Sequence, residues 1–90
     1  MNIIRETYLK ADSQKQAFYK LVTERITDGY VIIKESGVGE GKVLHKETYF
    51  RKSLTDALKF HEKKIKEKTG SHRKRAYFIM FDKDRMKTAA

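Results

Sequence analysis

Ser53–Gly70 reads SLTDALKFHEKKIKEKTG, and its periodicity decides the fold. Leu54, Ala57, Leu58, His61 and Ile65 fall at i, i+3, i+4, i+7 and i+11, which is one stripe of an amphipathic helix. Ser53 can accept a hydrogen bond from the first-turn amides, and Asp56, three residues on, suits the positive end of the helix dipole. Lys63, Lys64, Lys66 and Lys68 crowd the last turns, where cations are favoured, and Gly70 is a natural stop. The pattern predicts a long helix over roughly 53–68. Its apolar stripe needs a surface to bury against.

The flanking segments supply that surface as strands. Downstream, Arg75–Asp82 (RAYFIMFD) is a short, dense aromatic run that reads as an interior strand. Upstream, Val43–Phe50 (VLHKETYF) is rich in β-formers, with Val43, His45 and Tyr49 on one parity. Tyr30–Ile33 is apolar on both parities and is expected to be a central strand covered on two faces. Ala17–Thr27 is ambiguous by periodicity alone, because Phe18, Leu21, Val22 and Ile26 fit a helix while Tyr19, Leu21 and Thr23 alternate. Asp28-Gly29 leads straight into the next strand and favours a hairpin. A first segment, Asn2–Leu9, is closed by Asp12-Ser13. The chain has no proline, so its turns come from Asp, Ser, Asn and Gly. The expected fold is an α+β domain: an antiparallel sheet of about five strands with one long helix packed on it.

Ninety residues suit one core, expected over residues 1–82, with 83–90 as a disordered tail. There is no cysteine, which removes disulfides and thiolate metal sites and fits a reducing compartment. No apolar run is long enough to span a bilayer, and MNIIRET lacks the features of a signal peptide. A soluble, cytoplasmic protein with no membrane partner is expected.

Charge points to a polyanion. The net charge is +9, and it is one-sided: residues 1–50 carry eight Lys/Arg against seven Asp/Glu, residues 51–90 thirteen against five. The basic constellation is Lys63, Lys64, Lys66, Lys68, His72, Arg73, Lys74 and Arg75, and its HRKR run contains no acidic residue. Loop cations beside a positively loaded helix end can reach several phosphates together.

Catalytic alternatives fail on spacing. Lys34–Lys42 (KESGVGEGK) is not a phosphate loop, because Ser36 precedes Gly41 at the position needing glycine and Val43 replaces the magnesium-binding hydroxyl. The dinucleotide pattern fails too, since Lys42 stands at its third glycine. The stretch reads as a glycine-rich connection between strands, flanked by Glu35 and Glu40. His45, His61 and His72 lack metal-ligand spacing, and His61 lies on the helix's apolar stripe as a packed residue. No enzyme activity, metal or cofactor is expected.

The order of these pieces resembles the WGR domain family. In DALKFHEKKIKEKTG (Asp56–Gly70), the residues Ala57, His61, Ile65, Lys68, Thr69 and Gly70 occupy the family's helix pattern, with His61 where an aromatic is usual. AFYKLVTERITDGYVIIKESGVGEGK resembles its strand–hairpin–strand, and Val38-Gly39 match the end of the W-G-R-V-G signature. The likeness runs from about Ala17 to Phe81, implies that Ala17–Thr27 is a strand, and suggests a divergent, stand-alone branch. It implies DNA binding, which in DNA-repair poly(ADP-ribose) polymerases uses the signature Trp and Arg at a DNA end. Here Glu35, Ser36 and Gly37 stand in place of Trp, Gly and Arg, so those contacts do not transfer.

Two functions are therefore expected in order. The first is a non-catalytic nucleic-acid-binding module, DNA before RNA, using Lys63, Lys64, Lys68, Arg73, Lys74 and Arg75, with Lys34 and Lys42 from the hairpin. The second is a protein-interaction or regulatory module, in which either a homodimer or a protein partner would bury the sheet face that one helix leaves open.

Overall fold

A computed structural model describes residues 2–11, 16–39, 41–70 and 77–85. Among these residues the chain forms β1 (Asn2–Ala11), β2 (Phe18–Ile26), β3 (Gly29–Val38), β4 (Lys42–Arg51), α1 (Leu54–Thr69) and β5 (Tyr77–Asp84). The sheet is antiparallel throughout, in the order β4-β3-β2-β1-β5. The first four strands form a meander that ends at the β4 edge. α1 then carries the chain to the opposite edge, where β5 pairs with β1, and packs on the sheet on the way. The connection between the two edges is thus also the cover of one face.

α1 starts as its sequence requires. The Ser53 hydroxyl accepts from the Asp56 amide at 3.1 Å, from an extended backbone position. Ala57, His61 and Ile65 are its buried residues. At the far end Gly70 is extended, at φ −65° and ψ 142°, so the helix stops without a left-handed glycine turn.

Strand register sorts the side chains onto two faces, because residues paired directly across strands share a face. Under α1 lie rows such as Asp84–Arg5–Thr23–Ile32–Tyr49 and Ile79–Leu9–Tyr19–Ser36–His45. Leu9, Tyr19, Leu21 and Ile32 from this face form the core with Ala57 and Ile65. The fully buried Ala57 lets the helix backbone approach the sheet closely. The opposite face carries the rows Phe81–Tyr8–Lys20–Glu35–Lys46, Phe78–Lys10–Phe18–Gly37–Val43 and Lys83–Glu6–Val22–Ile33–Thr48.

The ambiguous Ala17–Thr27 segment is β2, the central strand. Phe18 and Val22 are buried on one face and Tyr19, Leu21 and Thr23 on the other, and apolar residues on both parities mimic a helical stripe. Several expectations are corrected. The final strand is an edge, not interior: Phe78, Ile79, Met80 and Phe81 are 50%, 50%, 52% and 38% exposed, because β5 joins the sheet last and pairs only with β1 among the described residues. In Tyr30–Ile33 only Ile32, on the helix side, is fully buried; one helix covers one face. A bulge between Ser36 and Gly37 sets Val43 opposite Gly37, which puts Val43 on the other face from His45 and Tyr49. β5 continues through Lys83 and Asp84, opposite Glu6 and Arg5, where a tail was expected to begin. Residues 86–90 lie outside the described residues.

KESGVGEGK is half strand. Glu35, Ser36, Gly37 and Val38 belong to β3, and the turn is confined to the residues around Gly39 and Gly41, both at positive φ. Gly37 has a separate cause. A Cβ there would collide with the Lys42 carbonyl oxygen and reach 3.0 Å from the Phe18 ring. Its glycine therefore reflects a close strand approach at the bulge.

Candidate nucleic-acid interface

The C-terminal half of α1 lies at the same end of the sheet as the β3–β4 turn. Lys68 Nζ sits 4.9 Å from the Tyr19 ring centroid and 5.8 Å from that of Tyr77. Tyr77 opens β5 opposite Ala11, and the row beside it passes through Lys10, Phe18 and Gly37 to Val43, next to the turn. Gly70 and Tyr77, the two flanks of 71–76, therefore fall at this end. Arg73, Lys74 and Arg75 lie outside the described residues.

The remaining predicted cations divide into three groups. Lys34, Lys64 and Lys68 are part-buried around the aromatic cluster between α1 and strands β2 to β4. Lys34 donates to Glu47 at 2.7 Å and lies 5.9 Å from the Tyr19 centroid. Lys64 is 5.3 Å from the Phe60 centroid and 5.8 Å from that of Tyr49, and pairs with Glu67 at 3.6 Å. Lys63 is exposed on the outer helix face, with Lys59 and Lys66, which spacing alone had not separated from the inner lysines. Lys42 is exposed beside the turn. In both ion pairs the carboxylate is about half exposed, 51% for Glu47 and 44% for Glu67, so a phosphate can compete with it for the ammonium group.

Electrostatics around the cluster are set by these pairs. The Lys34 hydrogen bond, then that from Tyr49, holds the Glu47 carboxyl below its usual range, and Glu47 in turn raises the Tyr49 phenol. Burial raises the Tyr19 phenol, whose hydroxyl is buried without a hydrogen-bond partner among the described residues.

A second polar cluster lies under the middle of α1. His61 is fully buried, with Thr7 Oγ1 2.8 Å from Nε2 and Thr23 Oγ1 2.7 Å from Nδ1. Thr7 donates its single hydroxyl proton to Asp82 Oδ1 at 2.8 Å. Its oxygen must therefore accept from His61 Nε2–H, which leaves Nδ1 to accept from Thr23. The ring is thus the neutral Nε2–H tautomer. Asp82 also receives two hydrogen bonds from Arg5, at 3.0 and 2.7 Å, and Arg5 reaches Glu62 at 2.8 Å. The Arg5 bonds hold the Asp82 carboxyl low and raise the guanidinium, while burial, then the Arg5 charge, pushes His61 down to about 4. The chain Arg5–Asp82–Thr7–His61–Thr23 looks like a catalytic relay, but its histidine has no exposed surface. It is a satisfied core network, as the packed reading of His61 expected.

Among the described residues no His, Cys, Asp and Glu cluster could hold a metal ion, and no helix is long and apolar enough to cross a membrane. No protein-family model, curated protein or solved structure matches this chain. The fold defines its class: among the described residues, an antiparallel α+β domain with a single helix on one sheet face.

Proposed function

We propose that this chain is a non-catalytic, WGR-like nucleic-acid-binding module that contacts mainly phosphates. The observation that carries this reading is the convergence at one end of the sheet. There the lysine-rich end of α1, Lys34, the exposed Lys42 and both flanks of the segment containing HRKR come together. A polyanion approaching that end meets cations from three elements, in a chain of net charge +9. The preference for DNA rests on the WGR resemblance. The absence of a Trp and Arg at Glu35–Gly37 shifts the contact from the hairpin to the helix end and HRKR.

Fluorescence anisotropy with labelled duplex DNA tests this reading. Binding should weaken with salt at a log–log slope of about −0.9 per phosphate neutralised. Changing Arg73, Lys74 and Arg75 to Ala should flatten that slope by up to about 3 and weaken binding at every sequence tested. No binding near physiological salt, or a triple variant that binds as well as the parent, would sink the reading.

The exposed run Phe78–Phe81 on the β5 edge favours a second reading, a protein-interaction module that self-associates by strand pairing. Light scattering during gel filtration decides it, and a monomer at all concentrations rules out self-association.

A further inference from the structure

We infer that the helix-free face of β5, β1 and β2 is a stacking surface for single-stranded nucleic acid. This rests on the nucleic-acid reading above and adds a second contact region and a strand preference. Three rings lie across three adjacent strands of this face; Phe18 is itself buried, at 3% exposed, so the accessible rings are Tyr8, Phe81 and Phe78. Tyr8 is 5.7 Å from Phe81 with planes 12° apart, and 6.0 Å from Phe18 with planes 18° apart. Phe78 shares the face one row along, opposite Lys10. Phe81 and Phe78 are 38% and 50% exposed, so their rings are already half in water.

Cations interleave with the rings. Lys10, Lys20 and Lys83 occupy the same three strands and the same face, against two carboxylates, Glu6 and Glu24. Lys20 holds Glu6 at 3.6 Å, and Lys83 lies 5.4 Å from the Phe81 centroid. This mixture selects the occupant. A purely apolar partner would have to desolvate Lys10 and Lys83 without compensation, at a cost that offsets much of the ring burial. A single strand offers both complements, with bases for the rings and phosphates for the ammonium groups. A duplex offers only the phosphates, because its bases are already stacked on one another. Stacking on side-chain rings tolerates any base, so the surface would read strandedness and not sequence.

The test titrates a labelled fifteen-nucleotide oligo-dT and a fifteen-base-pair duplex with the full chain. Phe78→Ala with Phe81→Ala removes two half-exposed rings and no charge. Oligo-dT affinity should fall at least about tenfold, with duplex affinity and both salt slopes unchanged. Phe81→Trp should keep oligo-dT affinity. It also installs a single tryptophan in a chain that has none, and its emission should be quenched by oligo-dT and not by duplex. Unchanged oligo-dT binding in the double alanine variant, or no quenching in Phe81→Trp, would overturn the inference while leaving duplex binding intact. So would a dimer that the double alanine variant converts to monomer with no loss of oligo-dT affinity. Failure of the parent chain to bind either nucleic acid would instead remove the proposed function, and this inference with it.

Discussion

Acidification should destabilise this domain above all through His61, whose effect sets in before the carboxylates protonate. Folding holds its imidazole neutral between two threonine hydroxyls, at about 4 against an ordinary value of 6.5. Between those values the unfolded chain binds a proton that the folded chain does not, so stability falls as pH falls. The contribution is fully present above 6.5, shrinks from 6.5 to 4, and is gone below 4. For this pair of values the loss between pH 7.5 and pH 4.5 is about 2.5 kcal/mol, a large share of the stability of a domain this size. Protonation has a structural cost as well as an electrostatic one. A proton on Nδ1 would face Thr23 Oγ1, whose hydroxyl proton would then need another acceptor.

The assay is urea unfolding across that pH range, for the parent and for His61→Phe, an aromatic replacement that cannot titrate. The variant should be weaker at neutral pH, because Thr23 loses its acceptor, yet it should lose about 2.5 kcal/mol less than the parent on going to pH 4.5. Titrating the ring by NMR gives an independent readout if the variant folds poorly. The His61 resonances should report an Nε2–H tautomer and a midpoint well below 6. Equal pH dependence in parent and variant, or a His61 midpoint near 6.5, would refute the assignment of a dry, fully satisfied histidine.

Two other substitutions probe packing. Gly37→Ala places a methyl group against the Lys42 carbonyl oxygen and the Phe18 ring, so β3 and β4 must part at the bulge; a loss of about 1–3 kcal/mol in chemical denaturation is expected. Tyr19→Phe removes a buried hydroxyl that has no partner among the described residues while keeping the ring beneath Lys34 and Lys68, and its midpoint should hold or rise, by about 1 kcal/mol at most. A clear loss in Tyr19→Phe would mean that the hydroxyl is bonded in solution.

Much of the architecture was legible because it rests on local chemistry. The stripe Leu54, Ala57, Leu58, His61 and Ile65, the Ser53 cap and the lysines before Gly70 specify α1 to within a residue at each end. β-former content and turn residues mark out the strands, with Ala17–Thr27 ambiguous by periodicity, and the charge imbalance between the two halves is a property of composition. The Asp28-Gly29 hairpin set β2 beside β3 as expected; what failed was the sheet position and facing of strands joined by no such local turn or shifted by a bulge. Phe78–Phe81 looks interior because four large apolar residues usually are; only the sheet order shows that β5 is an edge. Parity along Val43–Phe50 predicted one face for Val43, His45 and Tyr49, and a single bulge reverses Val43.

The candidate surfaces divide the same way. The sequence alone showed that lysines gather at the end of α1. Their sorting into Lys64 and Lys68 over aromatic rings and Lys63 facing water required the helix to be docked. Nothing local links Thr7, Thr23, His61 and Asp82, which come from three strands and a helix and meet only through antiparallel register. The same register brings Tyr8, Phe18 and Phe81 together on the face the helix leaves open. Periodicity is written one residue at a time along the chain, whereas pairing joins residues tens of positions apart, so element type was readable from the sequence and neighbourhood was decided by the tertiary fold.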